Sequence, residues 1–347
     1  MVGWLTTTTH ESEVTVTAET LATEPKLLFR DAYATVFHGD CLDVMPMLPS
    51  ESVDAVVTDP PYGLTEIDED KTRLAINAWI RDGNDSFVPD GKGFMGKRWD
   101  QFVPPPAAWR EALRLVRPGG YLLCFAGSRT LDLMTLSIRL GGFDVLGTME
   151  WAYGQGMPKS MDVAKGIDKR SGFVGEVVGT EEVDTGMQGG KLHTGRPKNV
   201  VTRDVRALSP EATAWAGWFT SLKPAHEPIV VARKPAVGGE GVPERALPAF
   251  IYRGKAKTDE RPTYVADDGT IISHPTVKPV ELVRDLVSLV CPRGGVVLDP
   301  FLGSGTTCEA AKTNGMDSVG IELHDAHLPL ITERLAGRDN WAGGLLD

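Results

Sequence analysis

Residues 58–63 read Thr-Asp-Pro-Pro-Tyr-Gly and follow the apolar run Val53-Asp54-Ala55-Val56-Val57. Proline has no backbone N–H, so a strand running into Pro60 and Pro61 stops there. A buried strand that ends by holding out a carboxylate, two prolines and a phenol ring is either a rigid turn or a reaction site.

A second stretch, residues 294–323, has the types needed to hold a ligand. An apolar strand leads into Asp299-Pro300, then a tight turn with Gly303 and Gly305, then a helix opened by Thr306 or Thr307. Glycines there admit close backbone approach, and a helix N-terminus offers unpaired N–H groups. The next strand ends in Glu322, spaced like the carboxylate that binds ribose hydroxyls in nucleotide folds. The absence of a lysine after Gly305 rejects a phosphate-binding P-loop, and Cys308 stands where a dinucleotide turn wants a small residue. An adenosyl ligand without phosphates, such as S-adenosylmethionine, fits the turn. A glycine turn that only packs a helix on a sheet stays open beside it.

The elements around these stretches alternate. Strands are expected at Tyr33–His38, Ala55–Thr58, Tyr121–Ala126, Val145–Tyr153, Ile229–Ala232, Gly295–Leu298 and Asp317–Ile321. Helices are expected at Ala107–Val116, Leu131–Leu140, Val280–Val290 and Thr306–Thr313, the first stopped by Arg117-Pro118-Gly119-Gly120. Such alternation predicts a doubly wound α/β fold, a mostly parallel Rossmann-like sheet covered by helices on both faces. Ligands bind such sheets at the carboxyl ends of strands where the strand order reverses, so the strands ending at Asp59 and Asp299 should be neighbours.

The chain has 347 residues, a net charge of −11 and a pI near 5.2, against coating nucleic acid by charge alone. A local basic groove would suffice for phosphates. Cys41, Cys124, Cys291 and Cys308 are far apart and form no C-x-x-C, which argues for reduced thiols and against zinc or a disulfide framework. No apolar run approaches a membrane span. Residues 1–26 read as a loose Thr- and Glu-rich tail.

Taken together the motifs resemble the DNA amino-methyltransferases. Asp59-Pro60-Pro61-Tyr62 is similar to their catalytic tetrapeptide, and Phe301-Leu302-Gly303-Ser304-Gly305 to their S-adenosylmethionine loop. Catalytic motif first and cofactor loop last is the circularly permuted order of the β class. "HGDCLDVM" (38–45) and "HPTVKPVELVRDLV" (274–287) match in the same order. "GFMGKRWD" (93–100), "WAYGQGMPKS" (151–160) and "LKPAHEPIVVARKP" (222–235) resemble segments of phage and prophage members.

The resemblance implies a cytoplasmic enzyme (in a bacterium or a phage-infected host) that methylates double-stranded DNA, with or without a restriction partner, as monomer or homodimer. It implies that the cofactor meets Asp40, Cys41, Thr276, Lys278, Asp299, Phe301, Gly303, Ser304, Gly305, Thr306 and Glu322, with Lys278 and Thr276 near its methionine part. The Asp59 carboxylate and Pro60 carbonyl would accept from the two N–H groups of an exocyclic amine, holding its lone pair toward the methyl group. Tyr62 would stack on a flipped base, with Trp151 or Tyr153 opposite; plain packing is the competing reading of those two. Asp at the first tetrapeptide position leans to adenine N6 over cytosine N4, and a catalytically silent DNA-binding relative is the third alternative.

The expected layout is a catalytic half at 27–154 with an insertion at 64–105, a target-recognition region at 155–270 and a cofactor half at 271–347. Lys191, His193, Arg196, Lys198, Arg203 and Arg206 form the densest basic stretch of the recognition region and are candidates for DNA contact.

Overall fold

The computed structural model describes residues 26–63, 69–91, 100–153, 162–184, 200–220, 225–236, 245–257, 260–266, 268–274 and 276–336. Its centre is a sheet of nine strands in the order β1-β2-β13-β12-β3-β4-β8-β5-β9. These are β1 (Lys26–Arg30), β2 (Ala34–His38), β3 (Val53–Thr58), β4 (Val116–Phe125), β5 (Asp144–Ala152), β8 (His226–Arg233), β9 (Phe250–Tyr252), β12 (Val296–Asp299) and β13 (Asp317–Glu322). Strands β2, β13, β12, β3 and β4 pair in parallel, while β1 pairs antiparallel with β2 and β8 antiparallel with β4 and β5. Two small antiparallel ribbons lie apart, β6 (Val177–Asp184) with β7 (Val200–Arg206) and β10 (Thr263–Val265) with β11 (Ile271–Ser273).

Side-chain alternation along the strands loads both faces. Ala55, Val57, Tyr121, Leu123 and Phe125 go into one core, while Val56, Leu122 and Cys124 go into the other. Helix α7 (Val280–Val290) covers the first face with Leu282, Val283, Leu286, Val287 and Val290. Each is worth about 1.5–3 kcal/mol when fully withdrawn from water. Helices α3 (Pro106–Leu115) and α4 (Leu131–Leu140) cover the other through Trp109, Ala112, Met134 and Ile138. Near β1 and β2, α9 (Leu328–Ala336) and α8 (Thr306–Thr313) add a third cluster around Ile331, Leu335 and Cys308. The remaining α-helices among the described residues are α1 (Cys41–Val44), α2 (Glu69–Ile76), α5 (Val163–Ser171) and α6 (Pro210–Thr213). Among the described residues no helix is long and apolar enough to cross a membrane.

The expected neighbours are neighbours. Val297 pairs with Ala55 and Leu298 with Val56, so β3 and β12 end side by side. From β12 the order runs through β13 to β2, and from β3 through β4, which makes this pair the switch point of the sheet. Both ends of the pair are clasped. Asp54 accepts from the Val296 N–H (2.8 Å) and from Arg117 (2.5 Å), and at the other end the Thr58 hydroxyl donates to Asp299 (2.6 Å).

Two sequence expectations need correcting. Arg117–Gly120 does follow the end of α3, but it lies inside β4 as a wide bulge: Val53 faces Val116, and Ala55 then faces Tyr121. The turn is held because Lys234 donates to the Gly120 carbonyl and accepts from the Gly119 N–H. The boundaries 155–270 also cut across the sheet, since β8 and β9 within them pair with β4 and β5.

Candidate active site

The end of β3 carries Asp59, and the turn after it is fixed from an unexpected direction. Buried Asp100 accepts from the N–H groups of Tyr62 (2.8 Å) and Gly63 (2.9 Å). Gly63 has φ 65°, and a Cβ there would come 3.0 Å from the Phe102 backbone, so the turn requires glycine.

Both oxygens of Asp59 have donors. Tyr62 donates to Oδ1 at 2.6 Å, and the Lys278 ammonium lies 2.5 Å from Oδ2. Glu227, from β8, reaches the same two donors, with its Oε2 at 3.2 Å from the Tyr62 hydroxyl and 3.4 Å from Lys278 Nζ. Lys278 is covered by the rings of Phe125 (4.9 Å) and Tyr62 (5.2 Å). Its side chain is 8% exposed against 25% for Asp59 and 23% for Glu227, so the carboxylates face the opening and the ammonium forms the floor. Burial pushes the Asp59 carboxyl up, opposed by Lys278. Burial also works against the Lys278 ammonium, but the two carboxylates hold its proton and its pKa rises.

Beside this cluster, at the end of β12, lies the glycine loop. Gly303 (φ 60°) and Gly305 (φ 85°) adopt left-handed backbone, and Gly305 caps α8. The Gly303 N–H donates to Glu322 Oε2 at 2.7 Å, while Glu322 Oε1 accepts from the His324 N–H at 2.9 Å and pairs with His327 Nδ1 at 3.0 Å. His274 packs against His327 with ring centroids 4.6 Å apart. Burial and the neighbouring cations hold the His274 imidazole down at about 3.

The other expected cofactor residues divide. Asp40 caps α1 by accepting from the Leu42 N–H (2.9 Å), and the Cys41 thiol is packed in the core, where burial raises its pKa. Asp299 turns inward to Thr58, Thr307 and the Phe301 N–H, and burial pushes its carboxyl up to about 6. Phe301 leans on Trp109 at 6.0 Å. Ser304 and Thr306 are buried, and Arg334, which is bound to Glu309 at 2.7 Å, lies 3.5 Å from the Ser304 hydroxyl. Thr276 is exposed, and Lys278 ends at the tetrapeptide carboxylate.

Trp151 and Tyr153 do not stand free to wall a base. Both are buried, Trp151 packs edge-on against Phe125 and Tyr153, and its indole N–H donates to the Arg253 carbonyl (2.8 Å). Lys191, His193, Arg196 and Lys198 lie outside the described residues. Arg203 is placed by its backbone on the exposed ribbon, opposite Glu181, and Arg206 bonds to the Gly175 carbonyl (3.1 Å). The four cysteines are free and buried.

Sequence reasoning missed Asp100 and Glu227. Both lay inside segments it had singled out, at the end of "GFMGKRWD" and in the "HEP" of "LKPAHEPIVVARKP".

The doubly wound sheet, with both motifs at its switch point, has the architecture of DNA methyltransferases. The PvuII DNA methyltransferase (cytosine-N4-specific) shares the fold with a TM-score of 0.54 at 13% identity, over 92% of this chain and 91% of that one. The family model N6_N4_Mtase, DNA methylase, matches residues 53–333, and the chain belongs to that family, as a DNA amino-methyltransferase of the β class. It is 24% identical to the YubD protein of Escherichia coli (strain K12) over 302 residues, 86% of this chain and 88% of that one. It is also 21% identical to the type II methyltransferase M.HindIII of Haemophilus influenzae over 334 residues, 88% and 96% of the two chains.

Proposed function

We propose that the protein transfers a methyl group from S-adenosylmethionine to the exocyclic N6 of adenine in double-stranded DNA, on a base turned out of the helix. The observation that carries this reading is the pairing of β3 with β12, which puts Asp59 and the glycine loop on one edge of the sheet.

The residues of the loop suit an adenosyl group. Gly303 leaves a cradle that a Cβ would fill, since it would come 3.2 Å from the His274 ring. Glu322 supplies a carboxylate at the end of β13 for ribose hydroxyls, Asp40 follows β2, whose His38 lies opposite Glu322, and the α8 N-terminus opens onto the same loop. When bound, the cofactor supplies an electrophilic methyl on a positively charged sulfur.

The chain's own residues do the rest. Asp59 and the Pro60 carbonyl accept the two amine hydrogens, which localises the nitrogen lone pair and aims it. The prolines keep that carbonyl stiff and add no competing donor. Tyr62 offers its ring to the base. The amine proton leaves toward Asp59, whose carboxyl burial has already made more basic. No covalent intermediate is needed, in keeping with four buried thiols.

Asp at the head of the tetrapeptide supports adenine. The runner-up is cytosine N4, the amine named for the PvuII enzyme whose fold the chain shares. The test is transfer of tritium from labelled S-adenosylmethionine to duplex DNA, followed by digestion to nucleosides. Label in N6-methyladenine supports the reading, label in N4-methylcytosine selects the runner-up, and binding of DNA without label identifies a silent relative.

A further inference from the structure

A target amine that bonds to Asp59 competes with the donors this carboxylate already holds. Its Oδ2 is taken by Lys278 and its Oδ1 by Tyr62. Lys278 has little access to water, because it lies under Phe125 and Tyr62 with 8% of its side chain exposed. A buried ammonium needs a counter-charge throughout the reaction. Glu227 is the second carboxylate in reach of it, and the same oxygen, Oε2, is also in reach of the Tyr62 hydroxyl.

We propose that Glu227 is a positioning residue of methyl transfer, the alternative acceptor that takes Lys278 and the Tyr62 hydroxyl when Asp59 turns to the target amine. This rests on the methyl-transfer reading above. The distances are those of a shared pair of donors held by Asp59 at rest, 2.5 Å and 2.6 Å, and within a short shift of Glu227, 3.4 Å and 3.2 Å. Two carboxylates and one ammonium also leave the cluster one negative charge in excess, which is the charge that receives the amine's proton. Glu227 comes from β8, the antiparallel strand between β4 and β5, whose pairing with Trp151 fixes where that carboxylate emerges.

Other charges face the cluster. Lys255, from the segment after β9, lies over the Tyr153 ring at 4.2 Å, and both feel the charge of Glu227. His226 pairs with Glu150 beside it, Asp100 holds the Tyr62 backbone, and Asp299 lies across the strand ends. All of these are unchanged in the variants below.

The experiment is the pH profile of single-turnover methyl transfer for the wild type, Glu227→Gln, Glu227→Asp and Lys278→Met, with cofactor affinity measured in parallel. Glu227 raises the Asp59 pKa by like charge and Lys278 lowers it, so the two neutralising variants should move the acid limb in opposite directions. Glu227→Gln should slow transfer about tenfold or more and move the limb down by about one pH unit, with the cofactor dissociation constant within about twofold of wild type. Lys278→Met should move the limb up, and Glu227→Asp, which keeps the charge, should restore the wild-type limb. A Glu227→Gln enzyme with the wild-type rate and limb overturns the proposal, as does a limb that moves the same way in both neutralising variants. If Glu227→Gln does not fold, an unmoved limb in Lys278→Met overturns it equally. A wild-type protein that transfers no label overturns the functional reading and this proposal together, whereas active wild type with unmoved limbs overturns this proposal alone.

Discussion

The Thr58 hydroxyl donates to Asp299 Oδ1 at 2.6 Å, joining two strand ends that lie 241 positions apart in the chain. It locks β3 to β12 where the tetrapeptide and the glycine loop begin. Burial pushes the Asp299 carboxyl up to about 6, above its ordinary 3.8. The folded state therefore holds a proton that the unfolded state has lost between pH 3.8 and about 6, and over that window this group's contribution to stability falls as pH rises. Asp299→Asn should gain stability relative to wild type as pH rises from 4 to 6, by at most about 1.4 kcal/mol per pH unit. Urea unfolding across that range measures it, and a difference that does not change with pH contradicts the assignment.

His274 works in the opposite sense. Its folded pKa of about 3 lies below its ordinary 6.5, so the unfolded state binds the extra proton and stability is lost as pH falls through that range. His274→Asn should therefore resist acid better than wild type between pH 6 and 4. The same unfolding series reads this, and equal acid sensitivity of the two proteins would contradict it.

Gly305→Val tests the loop. At φ 85° a β-branched residue is strained by about 1–3 kcal/mol, and its Cβ would meet Arg334 Cδ at 3.4 Å. Titration calorimetry should show S-adenosylmethionine affinity reduced about tenfold or more, each tenfold being about 1.4 kcal/mol. An unaltered dissociation constant would contradict the loop's role.

Trp151→Phe separates packing from base contact. The substitution removes the N–H that donates to the Arg253 carbonyl and keeps most of the buried ring. Stability should fall by about 1 kcal/mol in chemical denaturation. Methyl transfer should stay close to the wild-type rate, and a collapse of that rate in a stable variant would restore Trp151 to the base pocket.

The parts of the fold that were legible in the sequence are those with buried, periodic strands. Leu131–Leu140, Val280–Val290 and Thr306–Thr313 form helices over the expected ranges, and β3, β12 and β13 end within a residue of expectation, because apolar runs there meet Gly, Pro or Asp. The β6–β7 ribbon left no such signal. Its residues 177–180 and 204–206 are exposed, so no buried face imposes a period of two. Helix α9 was missed although Leu330, Ile331 and Leu335 are buried, since a single nine-residue helix at the end of the chain has little pattern to read. At the strand ends, Asp59, Gly303, Gly305 and Glu322 drew notice from local chemistry, because turns and strand ends select their types, but that chemistry alone left rigid and packing turns open and their roles came with the family resemblance. Glu227 and Asp100 were not, because each acts through a partner far off in sequence, Lys278 and the Tyr62 backbone, that only the folded sheet brings near.

The central claim is that Asp59 presents a DNA base amine to a methyl donor. The most direct measurement is expression in a methylation-deficient host, for wild type and Asp59→Ala, followed by modification-sensitive sequencing of the host DNA. N6-methyladenine is expected within one recurring sequence motif for wild type and nowhere for Asp59→Ala, with cofactor binding nearly intact in the variant. Unmodified DNA from cells holding folded wild-type protein, or the same methylated motif with Asp59→Ala, would contradict it.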